Sequence, residues 1–115
     1  MRIGELAQKS GVSVRSLRYY EEQGILHSER SDSGQRLYGE SAVERVKLIQ
    51  QLYAAGLPSK AMREIMPCIE APMEQYASYV VQRLLQERQR IDTQLVELSE
   101  ARRKLDQVIS HAAVQ

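Results

Sequence analysis

Apolar residues recur along the first half of this chain at the three- and four-residue steps of short amphipathic helices. Ile3, Leu6 and Ala7 share one face, and that helix stops at Ser10-Gly11. Ser13 has the chemistry of an N-cap for the next helix, which runs from Val14 to Glu22 with Val14, Leu17 and Tyr20–Glu21 at three- to four-residue steps and ends at Gly24. The texture changes over 25–38. Ile25-Leu26 and Leu37-Tyr38 bracket a polar run with an Asp-Ser-Gly turn, the pattern of a small β-hairpin. Helical spacing resumes over 41–55 (Val43, Val46, Leu48-Ile49, Leu52-Tyr53). It resumes again over 58–66, where Pro58 opens the helix and Ala61, Met62, Ile65 and Met66 face inward. Pro67, Cys68 and Pro72 then mark a junction, with a helix end expected at Met66.

Beyond Pro72 the pattern is continuous. Ala77, Leu84, Ile91, Leu98, Leu105 and Ala112 repeat every seven residues, and Val81, Leu95 and Ile109 stand four further on, in a column that Arg88 and Arg102 interrupt. A helix over about 73–110 would be ~57 Å long at 1.5 Å per residue. So long a stripe cannot be buried against so small a first half, so it needs a partner helix, most economically from a second copy. Leu84, Ile91, Leu95, Leu98 and Leu105 are the expected seam. The expected architecture is mostly α. A unit over 1–70 holds a helix pair (3–22), a hairpin (25–38) and two more helices (41–55 and 58–66), and 71–115 forms a dimerisation helix.

Composition narrows the function. Sixteen Lys and Arg balance fifteen Asp and Glu in 115 residues, so any basic footprint must be local. Residues 1–66 carry +2 and 67–115 carry −1. A single Cys excludes an internal disulfide framework and a one-chain CxxC site. No apolar run approaches the ~18 residues of a membrane span, and no signal peptide is visible, so a cytoplasmic protein is expected. No paired carboxylates, Ser-His or Cys-His arrangement or Gly-rich phosphate loop suggests an enzyme, and no cofactor is expected.

The local footprint is on the second helix. Ala7 is small where two helices would touch, Gly11 suits a tight turn, and the outward face of 14–22 presents Ser13, Arg15, Ser16, Arg18 and Tyr19. Guanidinium groups can grip phosphate or the O6/N7 edge of guanine in pairs, so this face suits a DNA major groove. Arg30 and Arg36 flank the hairpin turn and Tyr38 follows at its base, as in a basic wing. Taken singly, each feature also suits an ordinary amphipathic pair or a surface hairpin. An interaction adaptor built on a coiled coil is the alternative to a DNA-binding protein, but it gives no reason to gather Arg15, Arg18 and Arg36.

The order Ile3-Gly4-Glu5-Leu6-Ala7, Gly11-Val12-Ser13-Val14-Arg15-Ser16-Leu17-Arg18-Tyr19-Tyr20-Glu21, Gly24-Ile25-Leu26, Arg30 and Gly34-Gln35-Arg36-Leu37-Tyr38 resembles the winged helix-turn-helix of the MerR (mercury-resistance regulator) family of bacterial transcription factors. The likeness covers 1 to about 70 in detail and departs at Ser28, where many members have Pro, and at Gly39 and Pro58, where members often carry a better helix N-cap. It implies DNA contacts at Arg15, Arg18, Tyr19, Arg36 and Tyr38, and a homodimer joined by an antiparallel coiled coil. It also implies a palindromic promoter operator whose spacer is distorted so that RNA polymerase can engage. Tyr20 is core first by spacing. Cys68 is one thiol where metal- or redox-sensing members use two or more, so it is read as a small hydrophobe with sensing as the lesser alternative, and no metal site is expected.

Overall fold

Helix α1 (Ile3–Ser10) ends because Gly11 turns left-handed, at φ 74°, and donates its N–H to the Ala7 carbonyl at 2.9 Å. A side chain there would be strained. Helix α2 (Val14–Glu22) starts two residues later. The Ser13 hydroxyl oxygen accepts the Ser16 N–H at 3.1 Å, satisfying one donor of the first turn. The computed structural model describes residues 1–70 and 74–114, and the chain divides into two units, Met1–Ala77 and Ser78–Gln115.

In the first unit, α1 packs on α2 and on α3 (Ser41–Ala54). Strands β1 (Glu29–Arg30) and β2 (Arg36–Leu37) form an antiparallel ribbon in which Glu29 pairs with Leu37 and Arg30 with Arg36. These strands are shorter than expected. Ile25 and Leu26 are buried core residues after the Gly24 turn, not part of the ribbon. Backbone bonds run both ways between Met1 and Tyr38, each 2.7 Å, and tie the first residue to the ribbon's base. Leu6, Leu17, Ile25, Leu26, Val46, Ile49, Met62, Ile65 and Met66 form the fully buried centre. Tyr20 joins it and stacks on Tyr53, ring centroids 5.8 Å apart.

Helix α4 (Ser59–Glu70) corrects the end expected at Met66, because it continues through Pro67. A proline inside a helix removes one backbone bond and normally breaks or kinks the helix. Here Ile65 and Met66 are fully buried and Ile69 is half-buried, so the apolar stripe carries the helix past the ring, which lies exposed on the other side. The break expected at Pro72 lies outside the described residues.

Helix α5 (Glu74–Val114) has 41 residues, some four more at its end than the heptads suggested, and spans about 62 Å. No helix is apolar enough to cross a membrane among the described residues. Leu84 and Ile91 are half-buried, whereas Leu95, Leu98 and Leu105 are 60 to 68% exposed, as are Val108 and Ile109 to a similar degree. Glu87 is gripped by Arg83 at 2.7 Å and Arg90 at 3.0 Å within the helix.

Candidate nucleic-acid interface

Two basic elements stand beside one another in the first unit. Along α2, Arg15, Arg18, Tyr19 and Glu22 fall at helical three- and four-residue steps and line a shallow recess of about 350 Å³. Leu17 and Tyr20 on the opposite side anchor the helix in the core, which is why the arginine side faces out. Arg15 and Arg18 have no acidic partner among the described residues, so both guanidinium groups are open to an anion or a base edge. Tyr19 is 45% exposed and meets Tyr20 edge-on. Ser13 is exposed. Ser16 is half-buried, and its backbone and hydroxyl both meet the Ser13 oxygen, so part of this pair's hydrogen-bonding capacity is spent on the cap.

The ribbon brings Arg30 and Arg36 directly opposite one another. Like charges so placed repel, and each is offset by its own acceptor. Arg30 Nη1 donates to the Gly34 carbonyl at 2.9 Å across the turn. Arg36 Nη1 sits 3.0 Å from a Glu21 carboxylate oxygen. The turn itself is closed by Ser31, whose carbonyl accepts from Gly34 and whose hydroxyl accepts from the Gln35 N–H. Gly34 supplies the left-handed residue, at φ 84°. Arg18, Glu21, Glu22 and Arg36 enclose a second recess of about 200 Å³ where the ribbon meets α2.

Tyr38 corrects an expectation. Expected as a DNA contact at the base of the ribbon, it is 3% exposed and its hydroxyl donates to Glu21 Oε1. The physical reason is that β2 ends on the Met1 backbone, which holds residue 38 down on the core while residue 36 stays at the rim. Burial, then the Glu21 hydrogen bond and charge, push the Tyr38 phenol up to about 12; Arg36 and a Ser28 hydrogen bond oppose this. The residue that sequence reasoning missed is Glu21. In the sequence it stands only within the helical pattern and the run that carries the family likeness, and its partners Arg36 and Tyr38 lie fifteen and seventeen residues further along the chain.

Cys68 lies in the last turn of α4, half-buried, its thiol 3.8 Å from the Glu64 carbonyl. No cluster of three or more His, Cys, Asp or Glu side chains suited to a metal occurs among the described residues.

The family model for the MerR HTH family regulatory protein matches residues 1–68, the span of the helix pair, ribbon, α3 and most of α4. The chain belongs to the MerR family of transcriptional regulators. Among relatives of this MerR protein, the HTH-type transcriptional regulator ZntR of Escherichia coli K12 is 33% identical over 93% of this chain and 77% of its own length. The nodulation protein NolA of Bradyrhizobium elkanii is 46% identical over 56% of this chain, but that match spans only 30% of NolA. The lead(II) complex of the regulator PbrR691 from Ralstonia metallidurans has a TM-score of 0.78 at 29% identity, covering 91% of this chain and 82% of that one. HiNmlR, a MerR family regulator lacking the sensor domain and bound to promoter DNA, shares the fold at 21% identity with a TM-score of 0.65, over 87% of this chain and 76% of that one.

Proposed function

We propose that this MerR-family regulator binds a palindromic promoter operator in double-stranded DNA as a homodimer. On this reading it controls transcription by distorting the promoter spacer for RNA polymerase, in the cytoplasm. The observation that carries the reading is the face of α2, where Arg15 and Arg18 stand beside Tyr19 without an acidic partner among the described residues, flanked by a ribbon with Arg30 and Arg36 at its shoulders. In this role α2 enters the major groove, with Arg15 and Arg18 as base or phosphate contacts and Ser13, Ser16 and Tyr19 adding hydroxyls. Arg30 and Arg36 meet the neighbouring backbone. Tyr38 is assigned no direct DNA contact, since it is buried. The promoter-DNA complex of HiNmlR supports the role by likeness of fold.

The homodimer is supported by the apolar residues that α5 leaves uncovered, Leu95, Leu98 and Leu105 at three- and seven-residue steps. With Leu84 and Ile91 they would make a coiled-coil seam, antiparallel by the family's pattern. Two α2 helices related by the dimer axis would then read half-sites about 34 Å apart or a multiple of that.

The test is selection of bound duplexes from a random DNA pool by the purified protein near physiological salt, where non-specific phosphate binding is weak. An enriched inverted repeat with half-sites about one helical turn apart, or a multiple of it, is expected. Failure to enrich any sequence would overturn the reading in favour of an adaptor joined through α5.

A further inference from the structure

Glu21 is an odd residue to find at this place. A carboxylate beside the proposed path of a DNA backbone repels phosphate, yet it lies in the last turn of α2, its side chain 13% exposed, on the rim of the recess shared by Arg18 and Arg36. Its two oxygens are divided between alternate residues of one chain segment. Oε2 holds Arg36 at 3.0 Å and Oε1 accepts the Tyr38 hydroxyl. Residues 36 and 38 are two apart and so lie on one side of an extended segment. The ribbon is otherwise only two residues per strand, too short to hold its own orientation. Backbone bonds between Tyr38 and Met1 also anchor it. Arg36 approaches Glu21 through one guanidinium nitrogen, Nη1, and a guanidinium carries further N–H donors on its other two nitrogens.

We propose that Glu21 is a positioning residue for DNA binding: its carboxylate braces the wing against α2 through Arg36 and Tyr38, and turns the rest of the Arg36 guanidinium toward the recess it shares with Arg18, where a backbone phosphate sits in the complex. This role rests on the DNA-binding reading above. It predicts a sign opposite to that of simple charge. If Glu21 acted only through its charge, removing it would tighten binding. If it positions Arg36, removing it weakens binding although the protein becomes more positive.

The experiment measures affinity for the duplex enriched in the selection, and its salt dependence, for wild type, Glu21→Ala, Glu21→Gln, Arg36→Ala and the Glu21→Ala/Arg36→Ala pair. Glu21→Ala is expected to bind roughly tenfold more weakly, with a salt slope lower by about one ion, as Arg36→Ala does, although Arg36 keeps its charge. The pair is expected to be no weaker than Arg36→Ala alone, because both changes remove the same contact. Glu21→Gln keeps an oxygen for Tyr38 and loses the charge that holds Arg36. Its slope is expected to fall as in Glu21→Ala, while exchange of the amides of Ser31, Gly34, Gln35 and Tyr38 stays slower than in Glu21→Ala. Unchanged exchange of the α1 and α3 core amides shows that each variant is folded. Equal or tighter binding by a folded Glu21→Ala, with the slope unchanged, overturns the positioning role alone. Wild type that binds no duplex overturns the DNA-binding reading and this role with it.

Discussion

Arg15 and Arg18 project from one face of α2 without an acidic partner among the described residues, so replacing either removes a binding group and leaves no buried charge behind. Arg15→Ala is expected to weaken binding to the selected duplex by about 1–3 kcal/mol and to relax base preference at one position of each half-site. Equal weakening on the selected and a scrambled duplex would make Arg15 a phosphate clamp instead. Tyr38 behaves differently because it is buried. Its phenol is pushed up to about 12 from the ordinary value of 10.0 by burial first and by Glu21 second. In the unfolded chain it loses its proton near the ordinary value, while the folded protein holds it. Its contribution to stability is therefore complete below pH 10 and lost as pH rises from about 10 to about 12. Thermal unfolding followed across that window is expected to fall more steeply for wild type than for Tyr38→Phe, and parallel curves would contradict this. At Cys68 the expected result is silence. Cys68→Ser should leave DNA binding intact, and a response to oxidant or soft metal that disappears in this variant would assign the thiol a sensing role.

The elements of the first unit are short, and their ends matter more than their interiors. Helix α2 has nine residues, too few to be stable alone, and its start is set by one hydroxyl. Ser13→Ala is expected to cost about 1 kcal/mol of stability, seen as a lower midpoint in urea with an unchanged slope. Helix α3 lacks such help, since its N-cap, Glu40, makes no side-chain capping bond. Its burial of Ala42, Val46 and Ile49 against the core holds it instead. The ribbon shows the same dependence. Two facing arginines would push it apart were it not for a carbonyl across the turn and a carboxylate on α2.

On the scale of the whole molecule, the short unit supplies the basic face and the long helix leaves a row of apolar residues exposed. Leu98 is 68% exposed, so a charge placed there disturbs little within one chain. Leu98→Glu is expected to keep the helical circular dichroism of the first unit, to sediment as a monomer, and to lose binding to the inverted repeat. A variant that remains dimeric would move the seam to another face of α5.

Much of this arrangement was determined by local chemistry and was therefore legible in the sequence. Gly11, Ser13 and the three- and four-residue spacing of Leu6, Leu17 and Tyr20 define the helix pair, because caps and amphipathic faces depend on neighbours within a turn. The outward placement of Arg15, Arg18 and Tyr19 follows from that periodicity, and the heptads after residue 77 announce α5. Where the rules were non-local they failed. Pro67 is a helix breaker by its own chemistry, and only the burial of Ile65 and Met66 carries α4 past it. Tyr38 looks like a DNA contact at the base of the ribbon until the Met1 backbone draws it onto the core. Glu21 is one acidic residue in a helix of polar ones, and its hold on Arg36 and Tyr38 exists only because folding closes the chain between them. Side-chain periodicity is a property of a segment, whereas an ion pair or a buried hydroxyl is a property of distances that the tertiary structure alone decides.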